Sequence, residues 1–192
     1  TISNRLEPIF ISEDFYKGKP NPHAWISPKR GMIYVDIIVD SLSELKPSKA
    51  ESFKNNGQIY KNKIAKIDKD FSLFINNLEK NNRYLVTCEG AFSYLTNDYG
   101  LKEAYLWPVN AESQITPKRM ARTISLVKNK NIPSVFCEST VSNESQMVVA
   151  SETGAKFGGD LFVDSLSQDN KSANTYLKML QHNLTLIKKG LN

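Results

Sequence analysis

Histidine and cysteine occur only twice each in the 192 residues, and that scarcity narrows the chemistry before any pattern is considered. Two cysteines, Cys88 and Cys137, cannot build a structural zinc knuckle, which needs four ligands in short paired spacings. The two histidines, His23 and His182, form no His-Glu-x-x-His helix of the kind that zinc proteases use. No apolar run is long enough to cross a bilayer, and Thr1-Ile2-Ser3-Asn4-Arg5 has neither the charge pattern nor the apolar stretch of a signal peptide. An initiator methionine is also lacking. The expectation is that something preceded Thr1 and was removed by processing or by design.

What is present is an excess of base, with a formal charge of +5 and a pI near 9.1. The lysines are spread among acids, as in Lys61, Lys63, Lys66 and Lys69 around Asp68 and Asp70. That spacing describes a solvated helical face; a nucleic-acid footprint would cluster the base and interleave aromatics, so no nucleic-acid partner is expected. A hydrophobic content of 40% over this length suffices for one core, or for one core and part of a second.

Pro8, Gly18, Pro20 and Pro22 interrupt residues 1–26, which read as loop. Ser27-Pro28 is a helix start, Met32, Val35, Val39, Leu42 and Leu45 recur at helical spacing, and Pro47 ends that helix near residue 45. From 48 to 81 a narrow stripe of Phe53, Tyr60, Ile64, Ile67, Phe71, Phe74, Ile75 and Leu78 predicts one helix of about 50 Å at 1.5 Å per residue. A helix of that length runs along or between two bodies. Beyond it, short apolar runs at 84–88, 104–107, 134–137 and 161–163 alternate with helical stretches near 90–99, 117–130, 143–153 and 173–189. Alternation of buried strands with helices predicts an α/β lobe, a parallel sheet with helices on both faces, over residues 83–192.

Ligands of open parallel sheets bind beyond the carboxyl ends of the strands. Three acids stand there: Glu89 after the first strand, Glu138 after the third and Asp164 after the fourth. Acids at such positions also cap helices, and Glu138, before Ser139-Thr140, fits a capping or supporting role. Glu89 sits beside Gly90 at a turn and Asp164 opens Asp164-Ser165-Leu166, so both can face one cleft. His23, in a loop stiffened by Pro22 and Pro28, has its ring aimed by the backbone. Mixed imidazole and carboxylate ligands suit manganese, iron or zinc. His182 lies about 200° round its helix from Leu180 at 100° per residue, away from the apolar stripe, and reads as a surface residue. Trp107, in Trp107-Pro108-Val109-Asn110, is a wall of the cleft. Cys88 and Cys137 end the first and third strands in matching positions. They are buried small hydrophobes in a reducing compartment and a disulfide in an oxidising one, provided that the strand ends splay.

The motifs Asn21-Pro22-His23-Ala24-Trp25, Thr87-Cys88-Glu89-Gly90, Tyr105 to Asn110, Glu138-Ser139-Thr140 and Asp164-Ser165-Leu166 occur in the order seen in the solute-binding proteins of manganese, zinc and iron ABC importers. The chain resembles that family over its whole length. The resemblance implies two α/β lobes joined by a rigid helix, with a divalent metal held between them by two histidines, a glutamate and an aspartate. His23, Glu89 and Asp164 match three of those ligands, and Trp25, Trp107, Glu138 and Ser165 would line or support the site. Residues 1–46 would be the tail of a first lobe, 47–82 the linker helix and 83–192 the second lobe. The family's first histidine lies upstream of His23, so the site is expected to be incomplete here and its metal binding weak. With Glu89 where zinc receptors carry histidine, manganese leads, and iron or zinc follow. The resemblance further implies a membrane permease as partner, a monomer, and a periplasmic or lipid-anchored cell-surface location. A metal-dependent hydrolase and a surface adhesin are the rival classes, but no general base beyond the three ligands is evident.

Overall fold

A computed structural model describes residues 3, 5–13, 15–109, 115–168 and 172–192. Asn110, named with the cleft wall, and Thr1 lie outside the described residues. A turn of 3-10 helix at Ala24–Ile26 leads into α1 (Pro28–Leu45), and α2 (Ala50–Asn77) returns against it. The helix expected over 48–81 is therefore shorter at its far end. Leu78 is extended, with φ −78° and ψ 135°, and its N–H closes the last turn on Phe74 and Ile75. Lys80–Asn82 then forms a separate 3-10 turn.

The α/β part follows as β1 (Tyr84–Glu89), α3 (Ser93–Tyr99), β2 (Lys102–Trp107), α4 (Pro117–Lys130), β3 (Ser134–Glu138), α5 (Glu144–Thr153), β4 (Lys156–Leu161) and α6 (Tyr176–Leu191). β1 pairs in parallel with β2, and β3 with β4. β1 and β3 lie side by side in the middle, yet no ladder joins them among the described residues. A disulfide between Cys88 and Cys137 bridges them instead, with the two Cα atoms 4.8 Å apart. The side chain of Gln146 on α5 donates to Val86 O at 3.3 Å, taking one of the β1 carbonyls. The bond forms with the two strands at ordinary neighbour spacing, where the ladder between them is missing, so the splaying that the sequence led one to expect is not needed.

Strand alternation sends side chains to two cores. On one face Leu85 and Phe136 pack with Ile64, Ile67, Phe71 and Ile75 of α2 and with Leu180, Leu184 and Ile187 of α6. On the other, Val86, Cys88, Val135 and Cys137 pack against Val127 of α4 and Val149 of α5. α2 is shared along its length. Its first half lies on α1, so closely at Gly57 that a side chain there would strike Val39, and its second half is buried in the lobe.

One element is displaced from its expected place. The apolar triplet Leu161-Phe162-Val163 predicts a strand, whereas β4 spans Lys156–Leu161 and includes Gly158 and Gly159. Gly158 makes room for Phe136, whose ring lies where a Cβ there would stand, and Gly159 takes a φ of +114°. Phe162, just beyond the strand, is instead held by a side chain. Its N–H donates to Asn183 Oδ1 at 2.8 Å, and its carbonyl accepts from Asn183 Nδ2 at 2.6 Å. Asp164 consequently stands three residues past β4, on a loop.

Candidate metal centre

His23 sits at the entry to the Ala24–Ile26 turn and is buried, with 3% of its surface exposed. Asn21 fixes it. The Asn21 Oδ1 accepts from the His23 backbone N–H at 3.0 Å and lies 2.9 Å from His23 Nδ1. Asn21 Nδ2 donates to Gly90 O at 2.7 Å and to Ser93 Oγ at 3.2 Å. With the amide nitrogen committed to those acceptors, its oxygen must face the imidazole, so Nδ1 carries the proton and Nε2 keeps its lone pair. Burial pushes the His23 pKa down, opposed by the nearby Asp164 carboxylate. Burial thus favours the neutral ring, the form that a metal ligand takes, and with Nδ1 turned to Asn21 it is the Nε2 lone pair that would meet a metal.

That lone pair points to the Asp164 side. His23 Nε2 and Asp164 Oδ1 are 3.7 Å apart, and the Asp164 side chain is 47% exposed at the mouth of the site. Two donors sharing one ion at bonds of about 2.1 Å stand roughly 3–3.6 Å apart, so a shift of tenths of an ångström would let one cation bridge them. Trp25 links the two ligand loops. Its Nε1–H donates to Val163 O at 3.2 Å, one residue before Asp164, its ring packs edge-on against His23 at 5.4 Å, and its own carbonyl accepts from the Tyr176 hydroxyl at 2.8 Å.

Glu89 is the last residue of β1 and is buried at 5% exposure. The Asn21 side chain ties Gly90, its neighbour, to the His23 loop, and Gly90 N–H donates to Trp107 O at 3.0 Å. Trp107, fully buried, pairs with Glu89 across the β1–β2 ladder. Glu138 ends β3, and its Oε2 accepts the Glu89 N–H at 3.0 Å. Burial pushes the Glu138 pKa well above the usual carboxylate range. Ser165 Oγ meets Ser139 Oγ at 3.3 Å, joining the loops after β3 and β4.

Among the described residues, one compact group of histidine, cysteine or acidic side chains has its ligand atoms within 4.8 Å of one another: Cys88, Cys137 and Glu138. Both sulfurs are spent in the bond between them, so the group offers a single carboxyl and no thiolate. Glu89 is not drawn into such a group with His23 and Asp164; it reaches them through Gly90 and Asn21. His182 is elsewhere, with Nε2 3.3 Å from Asp160 O and its ring against Phe162.

Asn21 stands in the His23 motif without an assigned role, and nothing in the sequence points to Ser93 or Glu103. Glu103, on β2, accepts the Phe92 N–H at 3.0 Å and the Ser93 hydroxyl at 2.7 Å, and burial pushes its pKa to about 7. Only Asn21 left a signal. An asparagine two residues before a backbone N–H, followed by proline, is the pattern of an Asx turn.

A family model described as the periplasmic component A of a zinc-uptake complex matches residues 2–190. The iron-binding protein YfeA of Yersinia pestis is 42% identical over 189 residues, covering 98% of this chain and 61% of its own length. The manganese ABC transporter substrate-binding lipoprotein PsaA of Streptococcus anginosus is 31% identical over 191 residues, covering 100% and 62%. The chain therefore spans about three fifths of the length of these relatives. Among solved structures, the manganese-bound periplasmic metal-binding protein of Candidatus Liberibacter asiaticus superposes with a TM-score of 0.91 at 38% identity, over 100% of this chain and 70% of that one. Its cadmium-bound form gives 0.91 at 37% identity, with the same coverage.

Proposed function

The chain belongs to the family of the periplasmic component A of zinc-uptake complexes, and from that premise we propose that it captures a divalent transition metal as cargo for a membrane permease of the ABC importer class. The supporting observation is the buried His23 imidazole, whose Nδ1 is turned to Asn21 Oδ1 and whose Nε2 lies 3.7 Å from Asp164 Oδ1. We assign His23, Glu89 and Asp164 as the ligands that this chain contributes. A receptor needs no chemical step. It needs donors preset to the ion and a mouth through which the ion leaves, and the half-exposed Asp164 stands at such a mouth.

A ligand set of two carboxylates and one imidazole favours a hard ion, which places manganese first and iron next, with zinc able to enter by raw affinity. The names of the relatives span iron and manganese, and a cadmium form exists in the Liberibacter protein. A disulfide buried under the site fits an oxidising, extracytoplasmic compartment, and no helix among the described residues is long and apolar enough to cross a membrane. A periplasmic or lipid-anchored surface location and a monomeric state complete the reading.

Residues 1–46 are proposed as part of one lobe, 47–82 as the linker and 83–192 as the second lobe. The groove of about 1370 Å³ along α1 and the first half of α2 supports this division, because its walls include Val35, Ile38, Leu42 and Phe53. A polar, solvated surface would not carry that lining.

Calorimetric titration of the chain with manganese tests the assignment. Binding is expected to be weak, because this chain offers three protein ligands, and His23→Ala should abolish it while leaving the far-UV circular dichroism unchanged. Undiminished binding by His23→Ala would remove His23 from the site.

A further inference from the structure

We propose that Glu103 is a remote positioning residue for the metal centre, setting the tautomer of His23 through Ser93 and Asn21. Three hydrogen bonds make the connection. Glu103 Oε2 accepts from the Ser93 hydroxyl at 2.7 Å, Ser93 Oγ accepts from Asn21 Nδ2 at 3.2 Å, and Asn21 Oδ1 accepts from His23 Nδ1 at 2.9 Å. The inference deepens the reading of His23 as a metal ligand and rests on it.

The direction of each bond follows from the one before it. The Phe92 backbone N–H can only donate, and it occupies Glu103 Oε1 at 3.0 Å. An ionised carboxylate can only accept, so Ser93 must give its proton to Oε2. The hydroxyl then turns a lone pair to Asn21 and receives Nδ2–H. Asn21 is left with its oxygen towards His23, where it accepts both the backbone N–H and the Nδ1 proton. Gly90 O reinforces the same amide orientation. Nε2 is thereby left bare on the side of Asp164.

A charged anchor is useful at this position because the chain of bonds borders solvent. Asn21, Gly90, Ser93 and Glu103 all line a cavity of about 360 Å³, which is large enough for several waters. Water competing for the Ser93 hydroxyl would free that proton to turn to Asn21 and favour the flipped amide. A charge-assisted bond to Glu103 is about twice as strong as a neutral one and holds the hydroxyl against that competition. The hydrogen bonds from Glu103 lead to Phe92 and to Ser93, and through Ser93 to Asn21 and His23; the ring tautomer is the readout that separates this route from a through-space effect of the Glu103 charge on Glu138.

The small number of histidines makes the test direct. In the metal-free full chain carrying His182→Gln, His23 is the only imidazole, and long-range ¹H–¹⁵N correlation reports which ring nitrogen bears the proton. Spectra are recorded at about pH 8, roughly one unit above the Glu103 pKa of about 7, so that the carboxyl is ionised. The parent should show Nδ1 protonated and Nε2 bare. Glu103→Gln still offers an oxygen to Phe92 N–H but turns N–H groups on Ser93, and should shift His23 to a mixture of tautomers, with the manganese Kd rising about threefold to tenfold. Ser93→Ala removes the middle link and should move both readouts the same way; it decides the matter if Glu103→Gln does not fold. A single Nδ1–H tautomer in both folded variants would overturn the inference, as would an Nε2–H tautomer in the parent. A tautomer shift in a chain that binds no manganese would support the positioning route and refute the metal reading instead.

Discussion

Trp25 carries more of the site than its place in the sequence suggests. The motif around His23 marks the ring as a wall of the cleft, but the indole N–H is what reaches Val163 O, and that bond sets the loop on which Asp164 stands. Trp25→Phe keeps an aromatic edge against His23 and removes only the donor. Val163 is buried at 4% exposure, so its carbonyl is left without that donor and the stability loss should be about 1–3 kcal/mol. The manganese Kd should rise about threefold to tenfold, since the loops of the two proposed ligands lose their tie. Calorimetry paired with urea denaturation separates the two effects. Unchanged affinity with the expected stability loss would mean that Asp164 is positioned by Ser165 and Ser139 instead. Glu89 is marked in the sequence by a strand end, where the structure also places it, and His23 by its proline-bounded loop, whereas Asp164 lies three residues beyond β4. Asn21 left only the local signal of an Asx turn; its bonds to Gly90 and Ser93, and the place of Glu103, exist only where β1, β2 and α3 converge, and no local pattern records that meeting.

Among the elements, α1 and α3 are locked by one carboxylate. Asp98 near the end of α3 accepts from Ser27 Oγ at 2.6 Å and from Arg30 Nε and guanidinium nitrogen at 2.8–3.2 Å, and its carbonyl accepts from Lys29 Nζ at 2.8 Å. The Asp98 side chain is 8% exposed and that of Arg30 17%, and the pairing pushes the Arg30 pKa up. Ser27 closes the turn that begins after His23, so the same clamp fixes the entry of the histidine loop onto the lobe. Removing one member of a largely buried pair leaves the other charge without compensation. Asp98→Ala should therefore cost about 3 kcal/mol in urea denaturation and weaken manganese binding as well. A loss below about 1 kcal/mol would show that the pair is screened like a surface ion pair. The start of α1 was readable from Ser27-Pro28, and its end from Pro47. β4 was misplaced because apolarity favoured Leu161-Phe162-Val163, whereas the ladder selects Gly158 for the room that Phe136 needs. A side chain of α6, Asn183, satisfies the Phe162 backbone, so that triplet does not need a strand partner.

At the scale of the molecule, the two halves of the sheet meet through sulfur. β2 with β1 and β4 with β3 are hydrogen-bonded pairs, and between β1 and β3 the continuous covalent contact is Cys88–Cys137, closing a loop of 49 residues of sequence separation. Matching positions at two strand ends made the pairing conceivable from sequence, but only the missing β1–β3 ladder shows why the geometry allows it. Closing a loop of that length restricts the unfolded chain by about 4 kcal/mol. The double substitution Cys88→Ala with Cys137→Ala should lower the unfolding free energy by that amount, plus a small term for lost sulfur packing in a core where both residues are fully buried. Glu89 and Glu138 follow the two cysteines directly and share the Glu89 N–H bond, so the loss should not remain confined to the unfolded state. Hydrogen exchange at the Glu89 and Gly90 amides should quicken ahead of exchange in the α2–α6 core, where Phe71, Leu180 and Ile187 pack without help from the sulfurs. If the double variant matches the parent in denaturation midpoint, β1 and β3 are held by side-chain packing alone and the bridge contributes nothing to the alignment of the two halves. If stability falls but exchange at Glu89 and Gly90 does not change relative to the core, the bond acts on the unfolded chain and leaves the metal centre untouched.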